Sequence, residues 1–178
     1  ATFHCIKSLR DAGIRHLLVW DNSSDAGMTR AELARTLNLE SNLVRHVRIE
    51  SAGSNLGFSA GVNAAIAAIP AEECRRHVLL INNDATINRE GVGALFETLI
   101  GEPANAIAAP EFLSNTQETR AMLYYHACLA ILTKKKYPGS FAFLSGCCLL
   151  VDMEKAGTPL LDEAFFMYGE DIDMSYRI

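Results

Sequence analysis

The carboxylates and amides that could do chemistry in this chain fall in four short stretches. Asn82, Asn83 and Asp84 follow directly on the apolar run Val78–Ile81. Hard cations such as Mg2+ take oxygen ligands, commonly one or two carboxylates plus substrate phosphates. Asp84 can supply one such ligand, with Asn82 orienting a sugar, a ribose or a metal-bound water. The same three residues also suit a plain turn into the next helix. Asp21 ends the run Leu17–Trp20. Its carboxylate can accept from a base imide or a ribose hydroxyl, or cap the turn through Ser23 and Ser24.

Asn55, Gly57, Gly61 and Asn63 sit at a strand-to-helix junction. Glycines there let backbone pass close to a ligand, and a helix N-terminus favours phosphate. The spacing is neither the dinucleotide fingerprint nor a Walker loop, and close helix packing accounts for such glycines equally well. Glu170, Asp171 and Asp173 come directly behind Phe165, Phe166, Met167 and Tyr168. An apolar wall beside Asp171 can raise its pKa toward general-base duty. Asp173 stands four residues before Arg177, the spacing of a surface ion pair. His4, His16, His46, His77 and His126 are scattered, and no Ser-His-Asp arrangement emerges.

The elements that must position these residues alternate along the chain. Thr2–Ala12 reads as a helix, with Phe3, Ile6 and Leu9 on one side and Gly13 as its stop. Leu17–Trp20 reads as a buried strand. Thr29 and Glu32 have capping-box spacing for a helix carrying Leu33 and Leu37. Val44–Ile49 alternates apolar with basic residues, as in a strand nearer a sheet edge. Val62, Ile66 and Ile69 mark the next helix. Val78–Ile81 has the unbroken apolar character of a strand buried on both faces of a parallel sheet. From about Asn88 a helix carries Val92, Leu95, Phe96 and Leu99 at i, i+3, i+4 and i+7. Ala106–Ala109 is a short strand, and Ser145-Gly146 splits the apolar runs Phe141–Leu144 and Cys147–Val151. Leu113–Ser140 has no clear period and reads as a long functional excursion. This alternation predicts one α/β domain over residues 1–178, with a mostly parallel sheet and helices on both faces.

Composition narrows the partners. With 178 residues, 49% hydrophobic and 21% charged, the chain suits one domain with a sizeable core. A formal charge of -5 argues against nucleic acid. Lys134–Lys136 is the only basic run and reads as a solvated loop. No apolar run approaches the roughly 18 residues of a membrane span, and no signal peptide is evident. A cytoplasmic location is expected, with peripheral association at the inner face of the membrane left open. The five cysteines lack metal-type spacing and read as small core residues in a reducing compartment.

Val19–Gly27, Ser54–Ile66, Leu79–Ile87, Leu144–Val151 and Leu160–Ile178 together resemble the family 2 glycosyltransferases of the GT-A fold. The similarity is to the bacterial rhamnosyltransferase-like branch, spans nearly the whole chain, and is highly specific in its last segment. It implies a Rossmann-like nucleotide-diphospho-sugar transferase fold and a place in cell-envelope polysaccharide biosynthesis. The implied reaction is inverting transfer of a sugar from a UDP- or dTDP-linked donor to a hydroxyl of a glycan or lipid-linked acceptor. By the same resemblance, Asp21 contacts the base or ribose, and Asn55, Gly57, Gly61 and Asn63 line the nucleotide-sugar pocket. Asn82 and Asp84 take the places of the two aspartates in the family's D-x-D motif, which leaves Asp84 as the ligand of Mg2+ or Mn2+. Asp171 matches the aspartate of the E-D motif, the general base. Glu170 and Asp173 would support it or touch the acceptor.

The chain departs from that family in two ways. Members begin with a strand ending in a Tyr-Asn-type motif, and they continue past Arg177 with structure that often includes a metal-binding histidine. Both are absent from this sequence, so the GT-A fold is expected to be incomplete. The strands ending at Asp21 and Asn82 are then expected in one parallel sheet, separated by a one-strand gap or a substitute strand. Two other functions stay open. One is a sugar-1-phosphate nucleotidyltransferase, which would require a glycine-rich loop and a basic residue after the first strand. The other is a non-catalytic module that binds nucleotide sugars or a partner.

Overall fold

Apolar runs that stop at Asx, glycine or proline turns become strands, and apolar residues at helical spacing become helices. The computed structural model describes the backbone of residues 1–25, 28–39, 47–70, 76–113, 118–119 and 122–178, leaving out the side chains of 36–39, 112–113 and 118–119. The first half runs α1 (Thr2–Asp11), β1 (Leu17–Asp21), α2 (Met28–Leu39), β2 (Val47–Ser51), α3 (Phe58–Ala67), β3 (His77–Ile81) and α4 (Arg89–Gly101). Six short strands follow: β4 (Ile107–Ala108), β5 (Phe112–Leu113), β6 (Glu118–Thr119), β7 (Met122–His126), β8 (Ile131–Thr133) and β9 (Ser140–Leu144). The chain closes with β10 (Cys148–Asp152), α5 (Met153–Ala156) and α6 (Glu170–Arg177). Val44, Arg45 and His46 of the expected third element, the side chain of Leu37, and Cys74 lie outside the described residues.

Pairing corrects the expected sheet. β1 and β2 are parallel, with Leu17 opposite Val47 and Asp21 opposite Ser51. β10 lies between β3 and β4 and is antiparallel to both. β5 with β6, and β7 with β8 and β9, are antiparallel too. A mostly parallel sheet is therefore not what the described residues form. The strands ending at Asp21 and Asn82 also belong to different hydrogen-bonded sheets. The physical reason is the return of the chain beside β3 from the opposite direction, which sets Cys148 against Ile81 and Asp152 against His77.

β1 and β3 nevertheless run the same way along a slot. Two adjoining cavities of about 430 and 320 Å3 share Leu9, Leu17, Leu18, Ala65, Leu79 and Leu80 in their walls. The larger is lined by the carboxyl ends of both strands, Asp21 and Asn82 among them, and the smaller by His16 and His77 at their starts. Among the described residues β1 pairs with β2 alone and β3 with β10 alone, so each presents its other edge to the slot.

The core is built on β10, which is buried at every position. Leu149 and Val151 pack with Ile66 of α3, Met174 of α6, Leu160 and Leu161. Cys148 and Leu150 face the other way, onto Leu95 and Leu99 of α4 and Ala108. Alternate strand residues point to opposite faces, so helices cover both faces of this three-stranded sheet. β3 is only half-buried, against expectation, because one of its edges borders the slot.

Three local expectations change. Asp25, not Thr29, caps α2: its Oδ2 accepts from the Thr29 N–H at 3.0 Å and from the Thr29 hydroxyl. The excursion over Leu113–Ser140 contains β7 and β8, which complete a three-stranded antiparallel sheet with β9. Leu123 to His126 are half-buried on both faces, which is why no alternation marks the strand. Cys5 and Cys148 are buried as expected, but Cys128 is exposed. No helix among the described residues is long and apolar enough to cross a membrane.

Candidate functional site

The site begins at the carboxyl end of β1. Asp21 is 6% exposed. Its Oδ1 accepts from the Ser23 N–H at 3.1 Å, and its Oδ2 is buried with no partner among the described residues. A buried acceptor without a donor costs about 1–3 kcal/mol, so a fold that retains one marks a place for a ligand or a water. Trp20, also on the larger cavity, carries a polar atom, Nε1, that likewise has no partner among the described residues.

Asn22 fixes the neighbouring turn. Its Nδ2 donates to Asn55 Oδ1 at 3.1 Å and to the Gly57 carbonyl at 2.8 Å, while its Oδ1 accepts from the Leu56 N–H at 3.0 Å. Ser24 Oγ accepts from the Asn55 N–H at 3.1 Å. The turns after β1 and before α3 are thus held as one unit. Gly57 has φ of 81°, and a Cβ there would stand 2.6 Å from the Phe166 carbonyl oxygen. That close approach brings the aromatic loop onto α3, where the Phe58 N–H donates to the Phe166 carbonyl at 2.7 Å. Gly61 lines the cavity, and a Cβ on it would crowd Asn22 and Trp20 at 3.3–3.4 Å. Asn63 turns away from the cavity and clasps Leu161, donating to its carbonyl at 2.8 Å and accepting from its N–H at 3.1 Å.

The second wall ends in the turn after β3. The Asn82 N–H donates to the Cys147 carbonyl at 2.9 Å, and Asn83 donates to Thr2 Oγ1 at 3.1 Å. Asp84 is exposed. Burial, and then the Asp84 charge, push the Cys5 and Cys147 thiols up. Burial raises Cys148 further, to about 12, with the neighbouring thiols adding to it. These cysteines stay protonated and are poor ligands or nucleophiles. Among the described residues no three His, Cys, Asp or Glu side chains converge as a metal cage. One exposed carboxylate beside amide groups suits a hydrated Mg2+ or Mn2+ shared with phosphate oxygens, not a dedicated all-protein site.

The third wall is the start of α6. Asp171 Oδ2 accepts from the Gly146 N–H at 3.4 Å, and Oδ1 accepts from the Ile172 N–H at 2.9 Å. Gly146 lines the larger cavity, and its neighbour Cys147 bonds to Asn82. The one turn Ser145–Cys147 therefore touches both Asp171 and the segment that carries Asp84. The aromatic wall does not enclose Asp171: Phe166, Met167 and Tyr168 are 58%, 53% and 82% exposed. Glu170 is the buried member instead, with Oε2 unpartnered among the described residues. Burial raises the Glu170 pKa, opposed by backbone N–H donors and reinforced by the Asp171 charge. Asp173 is paired with Arg177 at 2.7 Å, and Arg177 also holds the Leu160 carbonyl at 3.0 Å.

The chain matches no known protein-family model. It is similar to a hexosyltransferase. The relative is the low-salt glycan biosynthesis hexosyltransferase of Haloferax volcanii, 28% identical over 186 aligned positions. The alignment covers 97% of this chain and 56% of that protein, so the chain spans about half the length of the curated relative it matches.

Of the residues singled out from sequence, Asp21, Gly61 and Asn82 share one cavity. Asp84 and Asp171 approach it through the Ser145–Cys147 turn. Asn55 and Asn63 are engaged in bonds that hold loops together, and Asp173 in an ion pair with Arg177 along α6. Sequence reasoning missed Trp20, Asn22 and Gly146. Asn22 carried a usable signal, since it directly follows a strand-end aspartate. Trp20 read as core, and Gly146 as a break between apolar runs.

Proposed function

We propose that this chain is the nucleotide-sugar-binding part of an inverting glycosyltransferase of family 2, rhamnosyltransferase-like branch, with a GT-A-type site. The observation that carries the reading is the buried Asp21 carboxylate, one oxygen unpartnered, on a cavity that Asn82 also lines. The similarity to a hexosyltransferase supports a hexose as the group transferred. The nucleoside of a UDP- or dTDP-sugar lies between the two strand ends, where Asp21 accepts from the base imide or a ribose hydroxyl. The diphosphate lies toward Asp84. Asp84 would hold a Mg2+ or Mn2+ ion there, and the ion would supply charge to stabilise the departing diphosphate. Asp171 takes the proton of an acceptor hydroxyl as its oxygen bonds to the anomeric carbon and the carbon–phosphate-oxygen bond breaks on the opposite face, inverting the centre. Glu170, behind Asp171, supports its position. The acceptor is a glycan or lipid-linked hydroxyl, and the location is the cytoplasm or its membrane face.

The test is turnover by the full-length protein, measured as nucleoside diphosphate released from UDP- and dTDP-hexoses with an envelope lipid extract as acceptor. Asp171→Asn keeps the shape and removes the proton acceptor. The expected result is donor binding retained and turnover lower by about 10²–10⁴-fold. Near-normal turnover in that variant would move the base to Glu170 or Asp173. Nucleotide binding with no turnover of any sugar nucleotide by the parent protein would favour a non-catalytic module.

A further inference from the structure

The hairpin of β7 and β8 exposes every residue from Ala127 to Leu132, a run of six without a charge. Leu129, Ile131 and Leu132 are 63%, 46% and 58% exposed. Successive strand residues point to opposite faces, so Ile131 and Leu132 bare apolar surface on both faces of an edge strand. After Thr133 come Lys134, Lys135 and Lys136, all exposed, then Tyr137 at 54%. No ion pair joins these lysines to any carboxylate whose side chain is described.

Register keeps the two features together. Ile131 and Ser140 both stand opposite His126, so the hairpin tip and the start of β9 share one end of the sheet. The lysines connect Thr133 to Ser140 and must return to that end. Pro138-Gly139, with φ of 83° at Gly139, makes a tight turn in which the Ser140 N–H donates to the Tyr137 carbonyl at 3.0 Å. The basic connection thus leaves β8 at Thr133, opposite Tyr124, and returns to the tip at Ser140, which keeps apolar side chains, a tyrosine and three ammonium groups within one small sheet of a chain whose net charge is -5.

We propose that this end of the β7–β8–β9 sheet is a docking surface for an anionic lipid membrane. Three exposed lysines beside bare apolar side chains complement an interface that is anionic outside and apolar within, and lipid can cover both faces of an edge strand at once. Lysine stems lie along apolar surface with their charges among the headgroups, and tyrosine favours the same depth. Insertion stays shallow, because the edge of β8 that pairs with no strand among the described residues cannot enter hydrocarbon without unpaired groups. The surface is remote from the candidate site: β9 and Ser145 separate Ser140 from Gly146, about 20 Å of extended chain. It does not depend on the glycosyltransferase reading.

The experiment is co-sedimentation of the full-length protein with phosphatidylcholine vesicles, with and without phosphatidylglycerol, across a salt series. Binding is expected only to the anionic vesicles and to weaken with salt. Changing Lys134, Lys135 and Lys136 to Gln should weaken it by about fivefold each, roughly a hundredfold together. Leu129→Ser with Leu132→Ser should weaken it about tenfold or more at unchanged charge. Leu129→Trp gives a check on the tip itself, whose emission should shift to shorter wavelength on anionic vesicles. The melting temperature should be unchanged in all variants. Failure to bind any vesicle, meaning that another segment or a protein covers the patch, would overturn the proposal. So would binding indifferent to the leucine changes, as for a charged ligand such as nucleic acid.

Discussion

Asp21 and Glu170 are both buried carboxylates with one oxygen lacking a partner, and they differ in what surrounds them. Asp21 faces a cavity that a ligand can fill. Glu170 sits beside the Asp171 charge, and its raised pKa, caused first by burial, favours the protonated form in the fold. A raised folded pKa contributes stability that is fully present below the ordinary glutamate value and lost as pH rises through the folded value. An ionisable side chain at 170 therefore loses the fold stability at any pH above the ordinary glutamate value. Glu170→Gln should raise the melting temperature at pH 7 and flatten its dependence between the ordinary and the raised pKa, as read by thermal unfolding across pH. Asp152 behaves oppositely. Burial pushes it up, but the Glu154 N–H and the Arg76 guanidinium outweigh that and hold it low, so its contribution is lost as pH falls through the depressed value. A melting temperature that fell in Glu170→Gln at pH 7 would contradict this account of the pair.

At the scale of elements, the site depends on two turns being held as one. Asn22 makes three hydrogen bonds to the 55–57 turn. Asn22→Ala should cost about 1–3 kcal/mol of local order. It should speed amide exchange at Leu56 and Gly57 while leaving β10 amides unchanged, as hydrogen exchange would read. Strand ends of this kind were legible in the sequence because an apolar run stopped abruptly at Asp21 or Asn82. Pairing was not legible, since whether β3 takes a parallel or an antiparallel neighbour is decided by residues some seventy positions away. Roles of single amides were not legible either. Asn63 clasps the Leu161 backbone and Asn55 the Gly57 N–H, and nothing local separates such an amide from one that meets a ligand. The aromatic run before Glu170 misled for a related reason: an apolar sequence neighbour need not be a spatial one, and three of its side chains point to solvent.

At the scale of the molecule, β10 couples everything else. Leu149 and Val151 join α3 and α6, which carry Gly61 and Asp171, while Cys148 and Leu150 join α4. Leu149→Ala should destabilise the fold by about 2–5 kcal/mol in denaturant unfolding, with the loss global because both core faces meet on this strand. In the proposed site the β1 and β3 ends hold a nucleoside diphosphate through Asp21 and, with a divalent cation, Asp84. The most direct measurement is calorimetric titration of the protein with UDP, dTDP and GDP, with and without Mn2+, in parent, Asp21→Asn and Asp84→Asn forms. Mn2+-dependent binding of UDP or dTDP by the parent is expected, with weaker binding in Asp21→Asn and loss of the Mn2+ dependence in Asp84→Asn. Metal-dependent nucleotide binding that survives Asp84→Asn unchanged would contradict it.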